Sequence, residues 1–220
     1  MLMRAFVVLL LLASAPAALA EKFDGYKVES TDALTDAKVS DVIRQAVASK
    51  GLRLLDDQGK PYCEIWFAKS ISATTADVQG ANYGQIAEGA FVGVIKFASG
   101  VIDFRGQALK AGFYTLRYGL ILQDGNHLGV SDARDFLLAS PIAEDKDPAA
   151  TLKTDDLYKI SRLASGTGHP SVWSMVPVDS PEGLPKVIKN EREHVILETK
   201  IPTKSGELAI GLIVVGKTEG

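Results

Sequence analysis

From Phe113 to Gln123 the chain alternates with a period of two, and this stretch constrains the fold more than any other. Extended, it places Phe113, Thr115, Arg117 and Gly119 on one face and Tyr114, Leu116, Tyr118 and Leu120 on the other. The second face is bulkier and is expected to meet the core. Tyrosine and threonine suit a pleated, half-buried surface better than a helix. Lys110-Ala111-Gly112 reads as the turn before this strand, and Asp124-Gly125 as a hairpin turn after it, because both residues tolerate positive φ. A short return, Asn126 to Val130, follows. Beyond Arg134-Asp135, the apolar run Phe136-Leu137-Leu138 is expected to be another strand, ended by Pro141.

The rest of the chain repeats this style. Leu52 to Leu55 and Tyr62 to Ile71 predict a hairpin across Asp57-Gln58-Gly59-Lys60, and Ala90 to Ala98 and Val101 to Gln107 predict two strands around Ser99-Gly100. Ser171 to Val178, Lys186 to Lys189, His194 to Ile201 and Glu207 to Lys217 read as later strands, with Lys204-Ser205-Gly206 turning between the last two. Helical spacing occurs twice. Val39, Val42, Ile43, Ala46 and Val47 form one apolar stripe within Asp36 to Lys50, capped by Thr35 or Asp36. Thr154 to Ala164 is the second helix, capped by Thr154, closed by Gly166, with Leu157, Ile160, Leu163 and Ala164 as its buried stripe. Ser72 to Gly84 is a long aperiodic loop of the kind that is often functional or mobile. Ala143 to Ala150, acidic and with Pro148, reads as a solvated connector. Strands and helices do not alternate, so a parallel doubly wound sheet is not expected. The fold class is mainly β: an antiparallel β-sandwich, or a partly open barrel, with two short helices.

The segment KAGFYTL, Lys110 to Leu116, resembles the strand signature of secreted immunoglobulin-like and prealbumin-like sandwich modules, where a glycine turn feeds a Tyr-x-Leu strand. That resemblance implies an architecture and no activity. The pair HLGVSDARDF and SRLASGTGHP looks like a group of secreted bacterial proteins of unknown function, which implies a compartment and no chemistry.

Met1 to Ala20 has the form of a secretory signal peptide: Arg4, an apolar run from Phe6 to Leu12, and Ala18-Leu19-Ala20 before Glu21. The apolar run is far shorter than the ~20 residues of a membrane-spanning helix, and no later stretch is suited to span a membrane. The expected arrangement is a signal peptide over 1–20 and one domain over 21–220, secreted or periplasmic after cleavage near Ala20. The net charge of −3 becomes one unit more negative without Arg4. A mildly acidic chain without a basic cluster is a poor fit to nucleic acid or anionic lipid. Cys63 is the only cysteine, so no intramolecular disulfide forms. It shares a face with Ile65 and Phe67 and is expected to be a buried free thiol, with a reactive thiol or intermolecular bridge as the alternative.

The chain holds no HExxH, CxxC, Walker-type or GxGxxG motif. Gly129-Val130-Ser131-Asp132-Ala133 lacks the second glycine of a nucleophile elbow. Asp124-Gly125-Asn126 begins like a calcium loop but has Leu128 at the fifth place and Asp135 at the twelfth. What remains is a polar cluster on two loops: Asp124, Asn126, His127, Asp132, Arg134 and Asp135 on one, Ser161, Arg162 and His169 on the other. If the loops meet, His127, His169 and Asp124 suffice to hold zinc or another divalent metal. Alternatively His127 acts as a general base oriented by Asp124 or Asp135, with Arg134 binding an anionic group. A plainer explanation is that Asp124-Gly125-Asn126 only turns a hairpin and that Arg134 and Asp135 bond to loop backbone. A glycan site would need exposed aromatics, and Trp66, Trp173, Tyr83 and Phe113 are available. Trp66 points away from Cys63 by alternation, so either its strand is buried on both sides or Trp66 is a platform.

These features lead to a non-enzymatic secreted or periplasmic protein that binds an envelope protein, a glycan or a small ligand. The alternative is a metal-dependent hydrolase using His127, His169 and Asp124.

Overall fold

The computed structural model describes residues 25–75, 78–121 and 133–218. The elements in chain order are β1 (Lys27–Thr31), α1 (Asp41–Ala46), β2 (Gly51–Leu55), β3 (Pro61–Phe67), β4 (Phe91–Phe97), β5 (Val101–Ile102) and β6 (Ala108–Leu109). They continue with β7 (Gly112–Leu120), β8 (Asp135–Pro141), α2 (Thr154–Ser165), β9 (Ser171–Val176), β10 (Lys186–Lys189), β11 (Val195–Thr203) and β12 (Gly206–Val215). Ten strands form one sheet in the order β1-β2-β3-β4-β7-β8-β9-β12-β11-β10, and β5 pairs with β6 in a separate hairpin. Every pairing is antiparallel.

The two outermost strands, β1 and β10, lie against each other, so the sheet is rolled nearly shut. Contacts across the interior show the same closure. Tyr62 on β3 donates to the carbonyl of Val214 on β12 at 3.1 Å. Phe97 on β4 stacks on Trp173 on β9, with ring centroids 5.0 Å apart. Of the two architectures the sequence allows, the partly open barrel describes the molecule.

The inner face of β7 is the one expected from its bulk. Tyr114, Leu116, Tyr118 and Leu120 join the main core with Leu137, Trp173, Met175 and Leu212. The opposite face is also buried: Thr115 is 1% and Arg117 0% exposed. Residues 143–152 lie over it, which corrects the expectation of a solvated connector. Arg117 Nε and Nη2 donate to the two carboxylate oxygens of Asp145 at 2.7 and 2.8 Å. Nη1 donates to the carbonyls of Gly89 (2.8 Å) and Ala150 (2.5 Å), and Nη2 also to that of Asp147 (2.7 Å). All five guanidinium N–H donors are thereby used. Thr115 adds a bond to Asp145 at 2.7 Å. The strap can approach only because residue 89 is glycine: its φ is +79°, and a Cβ there would lie 1.8 Å from the Leu152 carbonyl oxygen.

The β2–β3 hairpin turns where the sequence predicts, with the Asp56 carboxylate accepting from the amides of Gln58 and Lys60. On β3, Cys63, Ile65 and Phe67 face inward, and Trp66, 4% exposed, faces the other way and donates to the Asp32 carbonyl at 2.8 Å. The strand is buried on both sides, so Trp66 is no platform. Burial also pushes the Cys63 thiol well above its ordinary range, which disfavours the reactive thiolate.

Two expectations need local correction, and a third segment gains a contact. The first helix runs only over Asp41–Ala46, after a turn in which Asp36 accepts from the Lys38 amide. Val39, Ile43 and Val47 are still buried as the stripe requires, but Val47 has left the helix to bridge Ala68, and Val42 is 58% exposed. The strand expected over Val101 to Gln107 is broken by a turn, because Asp103 accepts from the amides of Arg105 and Gln107 and reverses the chain. Of the described part of the Ser72 to Gly84 loop, Tyr83 is buried and reaches the barrel. Tyr83 donates to the Val176 carbonyl at 2.5 Å and accepts from the Gly211 amide at 3.2 Å, fastening the seam where β9 and β12 share two residue pairs. Burial raises the Tyr83 hydroxyl to about 12.

Candidate functional site: a cleft on the outer face

A second, smaller core lies outside the barrel. Phe136 and Leu138 of β8, Val172 of β9, Ile196 and Ile213 of β11 and β12, Leu157 of α2 and Phe104 pack there. Three pieces of chain cover this patch and leave a gap between them.

The first piece is α2. Leu157 is fully buried, and Ser161 between two turns of the same face donates to the Ala139 carbonyl (2.7 Å) and accepts from the Ser171 amide (3.0 Å). These bonds lock the helix onto β8 and β9. The buried face is therefore Leu157 and Ser161, while Leu163, expected in the stripe, is 57% exposed. The N-cap position is Lys153, not Thr154, whose hydroxyl donates to Glu88 at 3.2 Å. Gly166 closes the helix as expected, donating to the Arg162 carbonyl.

The second piece is the β5–β6 hairpin. Asp103 has no exposed surface, and its Oδ2 accepts from the Gln107 side chain (2.9 Å) and the Val172 amide (3.2 Å). The Phe104 amide donates to the Val172 carbonyl at 3.0 Å. Burial lifts the Asp103 carboxyl above its ordinary value, although all its donors pull the other way. The third piece is the C-terminal tail, where the Thr218 amide donates to the Phe104 carbonyl at 2.8 Å. His194 steadies the tail: its Nε2 lies 3.1 Å from the Lys217 carbonyl oxygen and its ring meets Phe104 edge-on.

The gap is a cleft of ≈ 260 Å³. Its floor is apolar: Phe104, Phe136, Leu138 and Val172, with Ile121, Tyr158 and the backbone of Leu120 at the side. Tyr158 donates to the Leu120 carbonyl at 3.0 Å. Gly119 keeps the floor low, since a Cβ at that position would press on Leu138 at 2.8 Å. The rim carries two guanidinium cations, Arg105 from the hairpin tip and Arg162 from the last turn of α2, with His169 beside them. All three are exposed, and among the described residues neither guanidinium stands in an ion pair. The loop that carries His169 is held by Ser165, which donates to the His169 carbonyl at 2.7 Å, and by Gln107, which donates to the Pro170 carbonyl at 2.9 Å.

The residues singled out from sequence are distributed as follows. Arg162 and His169 meet at this rim. Asp135 stands apart on the other side of the sheet wall, buried, facing the barrel interior. Its Oδ1 accepts from the Tyr118 hydroxyl (2.6 Å) and the Tyr83 amide (2.9 Å), and its Oδ2 from the Asn82 amide (2.8 Å) and side chain (3.3 Å). Arg134 donates to the carbonyls of Ile121 (3.0 Å) and Gln79. Both residues therefore tie loop backbone to the barrel, the plainer of the explanations open to the sequence. Asp124, Asn126 and His127, with Ser131 and Asp132, lie outside the described residues. Among the described residues no three histidine, cysteine or acidic side chains converge as a metal site. The aromatics considered for a glycan, Trp66, Trp173, Tyr83 and Phe113, are all buried.

Arg105 and Phe104 are cleft residues that sequence reasoning missed. The signal that could have found them is Asp103 two residues before Arg105 and three before Gly106, an Asx-turn pattern that breaks the expected strand and projects its tip. No family model, no curated protein and no solved structure matches this chain. The fold and site together define a mainly antiparallel, nearly closed β-barrel with an apolar, cation-rimmed cleft on its outer face. No helix among the described residues is long and apolar enough to cross a membrane.

Proposed function

We propose that this is an exported, non-catalytic binding protein that takes a small, largely apolar ligand in the outer-face cleft. Export is supported by the leader-like Met1 to Ala20, with its Arg4, apolar run and Ala18-Leu19-Ala20. Binding is supported by the cleft itself, a concave apolar surface kept open by three fastened pieces of chain. At ≈ 260 Å³ it sits just below the ~300 to 1,000 Å³ of most ligand sites, which suits a small molecule.

The neutral dye N-phenyl-1-naphthylamine tests this reading, because its fluorescence rises on entering an apolar site. The mature chain is expected to bind it saturably. Ile121, half-buried at the cleft wall, offers the blocking variant Ile121→Trp, expected to weaken binding about tenfold while far-ultraviolet circular dichroism stays unchanged. Saturable binding unaffected by a folded Ile121→Trp would place the dye elsewhere and remove the proposal.

A further inference from the structure

We infer that the ligand of this cleft is an amphipathic anion: a short apolar body bearing one carboxylate or phosphomonoester head, which lies between Arg105 and Arg162. This rests on the reading of the cleft as a ligand site and adds the chemistry of its occupant.

Three observations carry it. First, the cleft is divided, with an apolar floor of Phe136, Leu138 and Val172 and its cations gathered at the mouth. A neutral apolar ligand would use only the floor, and a small inorganic anion only the rim. Secondly, the fold uses its buried arginine completely: every donor of Arg117 has an acceptor. Arg105 and Arg162 instead project beside the cleft with no carboxylate partner among the described residues, although the whole chain carries more acidic than basic side chains. A guanidinium presents a planar fork that matches a carboxylate or phosphate through paired N–H bonds. Thirdly, both arginines stand on braced backbone. The Arg105 amide is held by Asp103, and Arg162 lies one residue beyond Ser161, which is clamped between β8 and β9. Braced donors lose less freedom on binding.

Size sets the body. At the ~30 Å³ that a water-sized unit fills, ≈ 260 Å³ accommodates roughly nine non-hydrogen atoms, close to the size of octanoate and far below a two-chain lipid.

The test is competition against the bound dye by octanoate, octyl phosphate, 1-octanol and octylammonium, using the mature chain and its R105A/R162A variant. These share one apolar body and differ in the head. The expected result is displacement by about tenfold less of an anionic competitor than of 1-octanol, with octylammonium weakest, in line with charge-assisted hydrogen bonds. In R105A/R162A the anions and the alcohol should compete alike. Whichever of octanoate and octyl phosphate competes better names the head group. Equal competition by anion and alcohol in the parent would overturn the inference and leave the cleft standing as an apolar site. The same holds for an anion preference that survives in R105A/R162A. A failure of the cleft itself is recognised separately, by a dye that does not bind or that ignores Ile121→Trp.

Discussion

Asp145→Ala is expected to cost about 3–5 kcal/mol of folding stability, enough to leave a large part of the chain unfolded at moderate urea. Asp145 supplies two of the five acceptors around Arg117, and Arg117 is 0% exposed. Removing the carboxylate strands a guanidinium where water cannot replace the partner, and that penalty exceeds the net worth of the intact pair. Arg117→Lys should not restore stability in the native background, since an ammonium has three donors and no fork to reach Asp145 together with the carbonyls of Gly89, Asp147 and Ala150. Equilibrium urea denaturation followed by tryptophan fluorescence measures both. A loss below about 1 kcal/mol for Asp145→Ala would mean that residues 143–152 do not hold Arg117 as described.

Asp135→Ala is expected to cost about 3 kcal/mol or more, by a different route. Its carboxyl accepts four bonds, two of them from backbone amides of the loop that enters the barrel and one from Tyr118. Burial and the bond to Asp135 raise the Tyr118 hydroxyl beyond its ordinary range, so this group donates throughout the working pH range. Without the acceptor, the amides of Asn82 and Tyr83 lose their partner and the loop loses its anchor. The expected signature is a lower urea midpoint together with faster amide exchange at Asn82 and Tyr83. A stable Asp135→Ala protein that has lost only ligand binding would instead return Asp135 to the list of site residues.

These two acids show where the sequence was legible and where it was not. The inner face of β7 could be read from alternation and bulk, because side chains on one strand separate strictly by parity. Parity says which residues share a face but not what covers that face. Arg117 therefore read as outward, and its cover, Ala143 to Ala150, read as solvated because it is acidic and contains Pro148. The charge that made the strap look exposed is the charge that pairs with the buried arginine. Similarly, Val39, Ile43 and Val47 are buried at helical spacing, yet only six residues between them are helical, because a turn and a β-bridge present the same apolar side chains.

The cleft was half legible. Arg162 and His169 are legible as members of the polar cluster on the second loop. For Arg105 the Asx-turn pattern at Asp103 marks the turn but not what lies beside its tip. The role of Arg105 comes from a contact between segments far apart in the chain, the Asp103 carboxylate bonded to the Val172 amide. The density of acidic and basic residues around Asp135 reads equally as a site and as a fastening, and the structure shows the bonds of a fastening.

The most direct test of the cleft as the binding site is a titration of the isotopically labelled mature chain with octanoate, followed by amide chemical shifts. The account predicts saturable shifts at Arg105, Gly119, Arg162 and Val172, which surround the cleft, with little change at Arg53 on β2 and Lys96 on β4. Saturable shifts confined to Arg53, Glu64 and Lys96, with the cleft amides unmoved, would contradict it.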